Sequence, residues 1–105
     1  MKISILLPYK ENFSPTYAGA VSLFVNSTNK ISKFKNNIIV YGSTNHKIKL
    51  STNYININLK KKFLSSLSKN YVDKFYDIQK DNPSDIIEIH NRPIYVNKLV
   101  ELNQK

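Results

Sequence analysis

Polar side chains that could bind a ligand or ionise crowd the end of an apolar run near the carboxyl end of the chain. The run DIIEI, residues 85–89, contains Glu88 and is followed at once by His90, Asn91 and Arg92. A strand buried on both faces of a parallel sheet usually consists of consecutive Ile and Val residues, so polar residues at its end call for a structural or functional explanation. Ligands of open parallel sheets bind at the carboxyl ends of strands, which favours a ligand or catalytic role for His90.

The neighbours of His90 each have a functional and a structural interpretation. Glu88 shares a strand face with His90 by the two-residue period. It is either the orienting partner of a neighbouring N–H or a simple strand-end carboxylate. Arg92, the only arginine, either holds a phosphate or caps the helix that follows. Glu88, Asn91 and Arg92 are therefore candidate substrate-binding or donor-binding residues beside His90.

Gly19 opens the first predicted helix and is a second candidate for ligand contact. A helix amino terminus presents N–H groups and a positive dipole end, and glycine lets a phosphate or sugar approach the backbone closely. The chain contains no G-x-G-x-x-G or P-loop, and no zinc spacing, serine nucleophile motif or EF-hand. Lys10, Glu11 and His46 are expected to be solvated or incidental, and Lys60–Lys62 is expected to be an exposed helix start.

Hydrophobic periodicity predicts alternating strands and helices that would position these residues. Strands are predicted at 2–7, 37–42, 54–58 and 85–89, and helices from residue 20, from residue 63 to before DNPSD, and from Pro93. The first helix has one apolar stripe made of Ala20, Val21, Phe24, Val25, Thr28 and Ile31. This order is typical of an α/β fold, Rossmann-like, with a mostly parallel sheet and flanking helices. In the strand order 3-2-1-4, loops 8–19 and 90–93 would meet at the switch point between the first and fourth strands.

Composition limits the size and the partners of the protein. The 105 residues suit a single domain, and 16 basic against 7 acidic residues give a net charge of +9, which favours an anionic partner. All but one of the cations are lysine, so nucleic acid is disfavoured as a partner. The absence of cysteine excludes disulfides, and the apolar amino-terminal run is too short for a secretory signal. We therefore expect a cytoplasmic location.

Three segments together resemble a known family. They are KISILLP at the first strand, TYAGAVSLFV at the first helix and DIIEIHNRP after the long helix. They resemble the amino-terminal half of GT-B fold glycosyltransferases of family 4, and the resemblance covers the whole chain. Such enzymes have two Rossmann-like domains facing a cleft, the first holding the acceptor and the second holding most of the nucleotide sugar. The resemblance implies that residues 1–105 are a single, truncated amino-terminal domain.

The resemblance also implies an activity and site residues. Such an enzyme moves a sugar from a nucleotide-sugar donor to a glycan or lipid-linked acceptor in cell-envelope biosynthesis, such as that of lipopolysaccharide, without a cofactor or metal. His90 matches the histidine beside the transferred sugar, and Ala18 and Gly19 match a Gly-Gly pair near the donor. With no second domain in these residues, we expect the chain alone to be inactive.

The remaining expectations concern location and an alternative function. The resemblance and the charge are compatible with peripheral contact with an anionic membrane at its inner face, and no nucleic-acid partner is expected. A standalone α/β binding module for a phosphorylated ligand or protein partner, acting without catalysis, stays open as the alternative.

Overall fold

A computed structural model describes residues 1–59 and 67–104, which form an α/β fold with a four-stranded parallel sheet and three helices. The strands are β1 (Ile3–Leu6), β2 (Ile38–Gly42), β3 (Tyr54–Asn56) and β4 (Ile86–Ile89), and the helices are α1 (Ala20–Ile31), α2 (Leu67–Asp81) and α3 (Pro93–Asn103). A short 3₁₀ turn, Lys35–Asn37, precedes β2. The strand order β3-β2-β1-β4 and the parallel pairing confirm the predicted fold class and order. Lys60–Lys62 and the predicted helix start at residue 63 lie outside the described residues.

The central strand β1 sets the frame of the sheet. Ile3 pairs with Ile38 of β2 on one side and with Ile86 of β4 on the other. Side chains of β1 alternate between two cores: Leu6 lies in the core under α2 and α3, whereas Ile5 lies in the core under α1. Because all strands are parallel, the segments after β1 and β4 leave the sheet side by side.

A polar network buried beneath α2 ties β4 to β1. The Ser4 and Ser84 hydroxyl oxygens lie 2.5 Å apart, and the Gln79 side-chain amide donates to Ser4 Oγ over 3.2 Å. The Ser84 N–H donates to Gln79 Oε1 over 3.0 Å, and the Lys2 N–H donates to Asp85 Oδ2 over 2.7 Å. Ser4 and Gln79 are buried and are satisfied by these bonds, and together with the exposed bond between Lys2 and Asp85 they fix the register in which β4 joins the sheet.

Helix α1 presents a different face to the sheet from the predicted one. Val25 is buried, together with Ser22 and Asn26, whereas Phe24 is 59% exposed and Ile31 is 87% exposed. The predicted apolar stripe was therefore wrong in part. The predicted stripe also included residues on the flank of the helix. Packing against β1 and β2 buries only the face of α1 that contains Val25.

Strand β4 lies at an edge of the sheet, and this corrects the expectation of a strand buried on both faces. Ile86 is 46% exposed and Ile87 is 38% exposed. The Ile86 N–H donates to the Lys2 carbonyl of the segment entering β1. By the alternation of a parallel ladder, the N–H and C=O groups of Ile87 and Ile89 point away from β1. Ile86 and Ile87 thus make β4 an apolar edge.

The phenol of Tyr71 holds α2 against the carboxyl end of β1. Its hydroxyl is buried and donates to the Leu7 carbonyl over 2.7 Å. Burial, together with the nearby phenols of Tyr54 and Tyr95, raises the pKa of Tyr71 far above its ordinary value. The hydroxyl therefore remains a neutral donor throughout the usual pH range.

Replacing Tyr71 should measure this hydrogen bond. Tyr71→Phe leaves the buried Leu7 carbonyl without its side-chain donor, so we expect the free energy of unfolding to fall by about 1–2 kcal/mol. Urea denaturation followed by circular dichroism gives the difference. Tyr76→Phe is the matched control because the half-buried Tyr76 makes no hydrogen bond through its hydroxyl among the described residues. Equal losses for the two variants would contradict the assigned bond.

The apolar edge at β4 should promote self-association of the 105-residue chain. Exposed apolar edges with unpaired backbone groups template pairing with another chain. We expect the sedimentation coefficient to rise with protein concentration, most strongly at high salt, where the repulsion between copies of net charge +9 is screened. Ile87→Lys should suppress the rise, because it places a charge on the edge. A chain that stays monomeric in high salt at all concentrations would contradict the expectation.

Candidate functional site at the carboxyl edge of the sheet

The segments that follow β1 and β4 meet at one shallow depression. It has a volume of about 330 Å³ and is lined by Ala20, Val21, Phe24, His90 and Asn91. The first residues of α1 and the residues after β4 share this depression because β1 and β4 are neighbours in the sheet. Two of the sequence-predicted site residues, His90 and Asn91, are therefore brought together with the start of α1.

His90 and Glu88 form a hydrogen-bonded pair at this edge. His90 Nε2 lies 2.9 Å from Glu88 Oε2, a distance at which the ring N–H donates to the carboxylate. In neutral imidazole this tautomer leaves Nδ1 with a lone pair that can accept a hydrogen bond or a proton. The half-exposed carboxylate of Glu88 makes the pair a weak source of stability, since exposed ion pairs contribute little. The main effect of the pair is therefore to orient the imidazole ring of His90, and its contribution to the stability of the fold is small.

Phe24 supplies an apolar wall beside His90. The two ring centroids lie 6.0 Å apart, and the ring planes meet at 67° in an edge-to-face arrangement. The exposed Phe24 ring stands one helical turn after Ala20, at the rim of the depression. The periodicity of α1 had suggested a core role for Phe24, so sequence reasoning missed it as a candidate site residue.

Asn91 and Arg92 form the turn between β4 and α3. Asn91 has a φ of 55°, in the left-handed region that asparagine tolerates better than most residues. The Arg92 guanidinium donates to the Asn91 carbonyl over 2.7 Å and lines a second depression, with Pro93 and Val96. Arg92 is the residue at the N-cap of α3, but its side chain makes no capping hydrogen bond. Arg92 is thus turned toward α3 and does not line the depression that contains His90.

The amino terminus of α1 is occupied by a carboxylate from the same chain. Glu11 Oε2 accepts a hydrogen bond from the Ser22 N–H over 3.0 Å, and Gly19 is the N-cap residue. A side chain at residue 19 would overlap the Glu11 carboxylate, so the glycine provides the space for Glu11. Ala18 is half-buried next to it. A phosphate at this helix end would have to displace a carboxylate that already neutralises the positive dipole.

Glu11 is the residue at this edge that the sequence analysis underestimated. It was expected to be a solvated charge, but it caps a helix that begins nine residues later. A signal was present, because the first turn of α1 has no acidic residue and Gly19 has no side chain with which to cap it. Such a helix needs an acceptor from elsewhere.

The loop that carries Glu11 is fixed at several points. The buried Phe13 stacks on Tyr54 with ring centroids 5.1 Å apart, and its N–H donates to Thr44 Oγ1 over 3.0 Å. The Thr44 hydroxyl donates to the Glu11 carbonyl over 3.2 Å. At the other end of the loop, the Tyr9 N–H donates to the Tyr95 hydroxyl oxygen over 3.0 Å. These contacts hold Glu11 beside α1 without relying on its own carboxylate.

Metal binding has no ligand set in the described part of the chain. Among residues 1–59 and 67–104, no three His, Asp or Glu side chains lie close enough together to share an ion. Among the described residues His90 has a single carboxylate partner, whereas a structural zinc site uses four protein ligands and a catalytic zinc site uses three. His46 is exposed, lies in the loop between β2 and β3 and does not line the depression that contains His90.

Comparisons with protein-family models, curated proteins and solved structures found no significant match. Within the described residues, every helix is too short or too polar to cross a bilayer. The function of the chain is therefore inferred from its fold and from the geometry of this edge.

A double-mutant cycle should show that Gly19 is required because of Glu11. Gly19→Ala should lower the free energy of unfolding by about 1–3 kcal/mol, because Cβ expels the capping carboxylate and alanine is a poor N-cap. In the Glu11→Ala background the same substitution should cost at least about 1 kcal/mol less, because the overlap is gone. Urea denaturation of the four proteins measures the coupling. Additive losses would contradict the assigned contact.

Proposed function

We propose that the chain forms the acceptor-side wall of a glycosyl-transfer site. One observation carries the proposal: the adjacency of β1 and β4 brings the paired His90 and Glu88 to the depression at the start of α1. This is the position at which open parallel sheets bind their ligands. The resemblance of KISILLP, TYAGAVSLFV and DIIEIHNRP to family 4 glycosyltransferases supports the same function.

The carboxylates of Glu11 and Glu88 favour hydroxyl groups over phosphate as ligands close to them. Glu11 and Glu88 are both carboxylates, and Glu11 already holds the amino terminus of α1. Carboxylates accept hydrogen bonds from sugar hydroxyls but repel a phosphate, and the Phe24 ring offers an apolar face for the C–H side of a sugar ring. The wall formed by this chain is therefore suited to the acceptor, and the diphosphate of the donor would be held mainly by a second Rossmann-like domain.

In this proposal His90 orients the reacting sugar. Glu88 holds Nε2–H, and Nδ1 accepts a hydrogen bond from a sugar hydroxyl. When that hydroxyl is the nucleophile, its oxygen bonds to the anomeric carbon of the donor as the bond from that carbon to the diphosphate breaks. The hydroxyl proton then passes to Nδ1 of His90. A positioned base of this kind contributes typically 10²–10⁴-fold to a rate.

The alternative function is a binding module without chemistry. The depression of about 330 Å³ is large enough for a small ligand to bind there without reacting. A module would use the same residues to hold a phosphorylated ligand or a protein partner. The two proposals differ in the ligand that they require at His90, a neutral sugar or a phosphate.

Binding of simple sugars at His90 tests the proposed function. We expect methyl glucoside or methyl galactoside at tens of millimolar to shift the amide NMR signals of Val21, Phe24 and Asn91. His90→Ala should weaken this binding roughly 3–10-fold, the usual effect of removing one hydrogen bond. His46→Ala is the matched control and should change nothing, because His46 is exposed in another loop.

The outcomes separate the two functions. Shifts that appear with phosphoserine or inorganic phosphate, but with neither glycoside, would overturn the acceptor-wall proposal and favour the binding module. Glycoside shifts that are the same in His90→Ala would remove the assigned role of His90. Sugar transfer by the 105-residue chain alone would contradict the assignment of the donor site to a second domain.

A further inference from the structure

A second polar cleft lies at the opposite edge of the sheet, where the strands begin. It has a volume of about 370 Å³ and is formed by the last turns of α1, the 3₁₀ turn before β2 and the segment before β3. We call it the amino-edge cleft; its lining consists of Asn26, Asn29, Lys30, Lys35, Asn36, Ile38, Ser51, Thr52 and Asn53. Its lining contains amides, hydroxyls and two ammonium groups, and no acid.

Asn26 gives this cleft an amide that is available to a ligand. The residue is 9% exposed, lines the cleft and makes no side-chain hydrogen bond to any of the described residues. Its amide atoms reach solvent, since the described side-chain atoms that are fully buried without a partner belong to Ser22, Asn70 and Asp73. A ligand in the cleft can therefore replace water at the amide, which both donates and accepts hydrogen bonds.

The other wall of the cleft is held in place by its own hydrogen bonds. The Asn53 side-chain amide donates to the Ile38 carbonyl over 2.9 Å, and the Ser51 hydroxyl bonds to Asn53 Oδ1. The Asn53 carbonyl also accepts a hydrogen bond from the Val40 N–H of β2 over 2.8 Å. The wall opposite α1 is therefore preformed, and Asn26 faces a fixed cleft.

The charge of the surrounding sequence selects an anion. Residues 12–72 contain nine lysines and no Asp or Glu, whereas the rest of the chain contains seven basic and seven acidic residues. The net charge of +9 is therefore carried by residues 12–72, which include the segments that build the amino-edge cleft. Within the described residues neither Lys30 nor Lys35 makes an ion pair. A cleft lined by charges of one sign concentrates counter-ions.

We propose that the amino-edge cleft binds a small hydroxylated phosphate ester. The ammonium groups of Lys30 and Lys35 neutralise the phosphate, and the Asn26 amide donates to a phosphate or hydroxyl oxygen. The cleft is much larger than a bare phosphate ion, and its amides and hydroxyls can both donate to and accept from ligand hydroxyls. A soluble sugar phosphate and a phospholipid headgroup share this chemistry. The proposal does not depend on the function of the carboxyl edge.

An NMR titration at constant ionic strength tests the proposal. The probes are glucose 6-phosphate, glucose, inorganic phosphate and, separately, phosphatidylglycerol vesicles. We expect glucose 6-phosphate to shift the amide signals of Asn26, Lys30 and Lys35, with glucose without effect and inorganic phosphate weaker. Signal loss with vesicles, in place of shifts with glucose 6-phosphate, identifies the lipid headgroup as the source of the phosphate ester.

Variants assign the binding to the cleft. Lys30→Ala and Lys35→Ala should each raise Kd roughly 3–10-fold, and Asn26→Asp, which adds a negative charge, should raise it at least about 10-fold. Lys33→Ala is the matched control. Lys33 is exposed between these two lysines, lies over the Phe34 ring at 5.2 Å and does not line the cleft, so its removal should leave Kd unchanged.

A second substitution covers the case in which Asn26→Asp fails to fold. Asn26→Leu removes an amide that has no hydrogen bond to the described residues and adds no charge, so the protein should remain folded, as a thermal melt would show, while Kd still rises. The proposal is overturned if neither glucose 6-phosphate nor vesicles bind. It is also overturned if Lys33→Ala weakens binding as much as Lys30→Ala, or if both Asn26 variants bind as the unsubstituted chain does.

Discussion

The buried hydrogen bonds that join Gln79, Ser4 and Ser84 decide where β4 lies, and both the candidate site and the exposed edge depend on that position. Ser4 is fully buried in the central strand, so its hydroxyl must be satisfied within the protein. Gln79 and Ser84 supply its partners and bring the segment that leads into β4 alongside β1. From this register it follows that His90 emerges beside the loop that enters α1. Without it, His90 and its partner Glu88 would not lie beside the start of α1.

The elements of the fold were predictable where one local signal dominated. The apolar run at 3–7, the glycine at the end of β2 and Pro93 in the first turn of α3 each have a cause that acts within a few residues. The orientation of α1 and the exposure of β4 could not be obtained in this way. The stripe containing Phe24 and Val25 is wider than the contact with the sheet, and the residues of an edge strand can be as apolar as those of a central one.

In the candidate site, too, only the contacts between residues close in sequence could be predicted. The pairing of Glu88 with His90 follows from the two-residue period of one strand, so sequence alone placed them on a common face. The contact between Glu11 and the amino terminus of α1 crosses a loop whose path is set by Phe13 and Thr44. That path depends on β2 and β3, which lie far along the chain, and it could not be inferred from the residues around Gly19.

The two candidate sites differ in charge because different segments line them. The carboxylate of Glu88 pairs with His90 and that of Glu11 caps α1, whereas the described lining of the amino-edge cleft has Lys30 and Lys35 and no acidic residue. A strand of four to five residues at about 3.3 Å per residue separates the edges by about 15 Å, which exceeds the Debye length of about 8 Å at physiological ionic strength. The acidic groups at one edge therefore weaken anion binding at the other only slightly. A hydroxyl ligand at the first edge and a phosphate ester at the second could occupy one molecule together, each selected by the charge of its own edge.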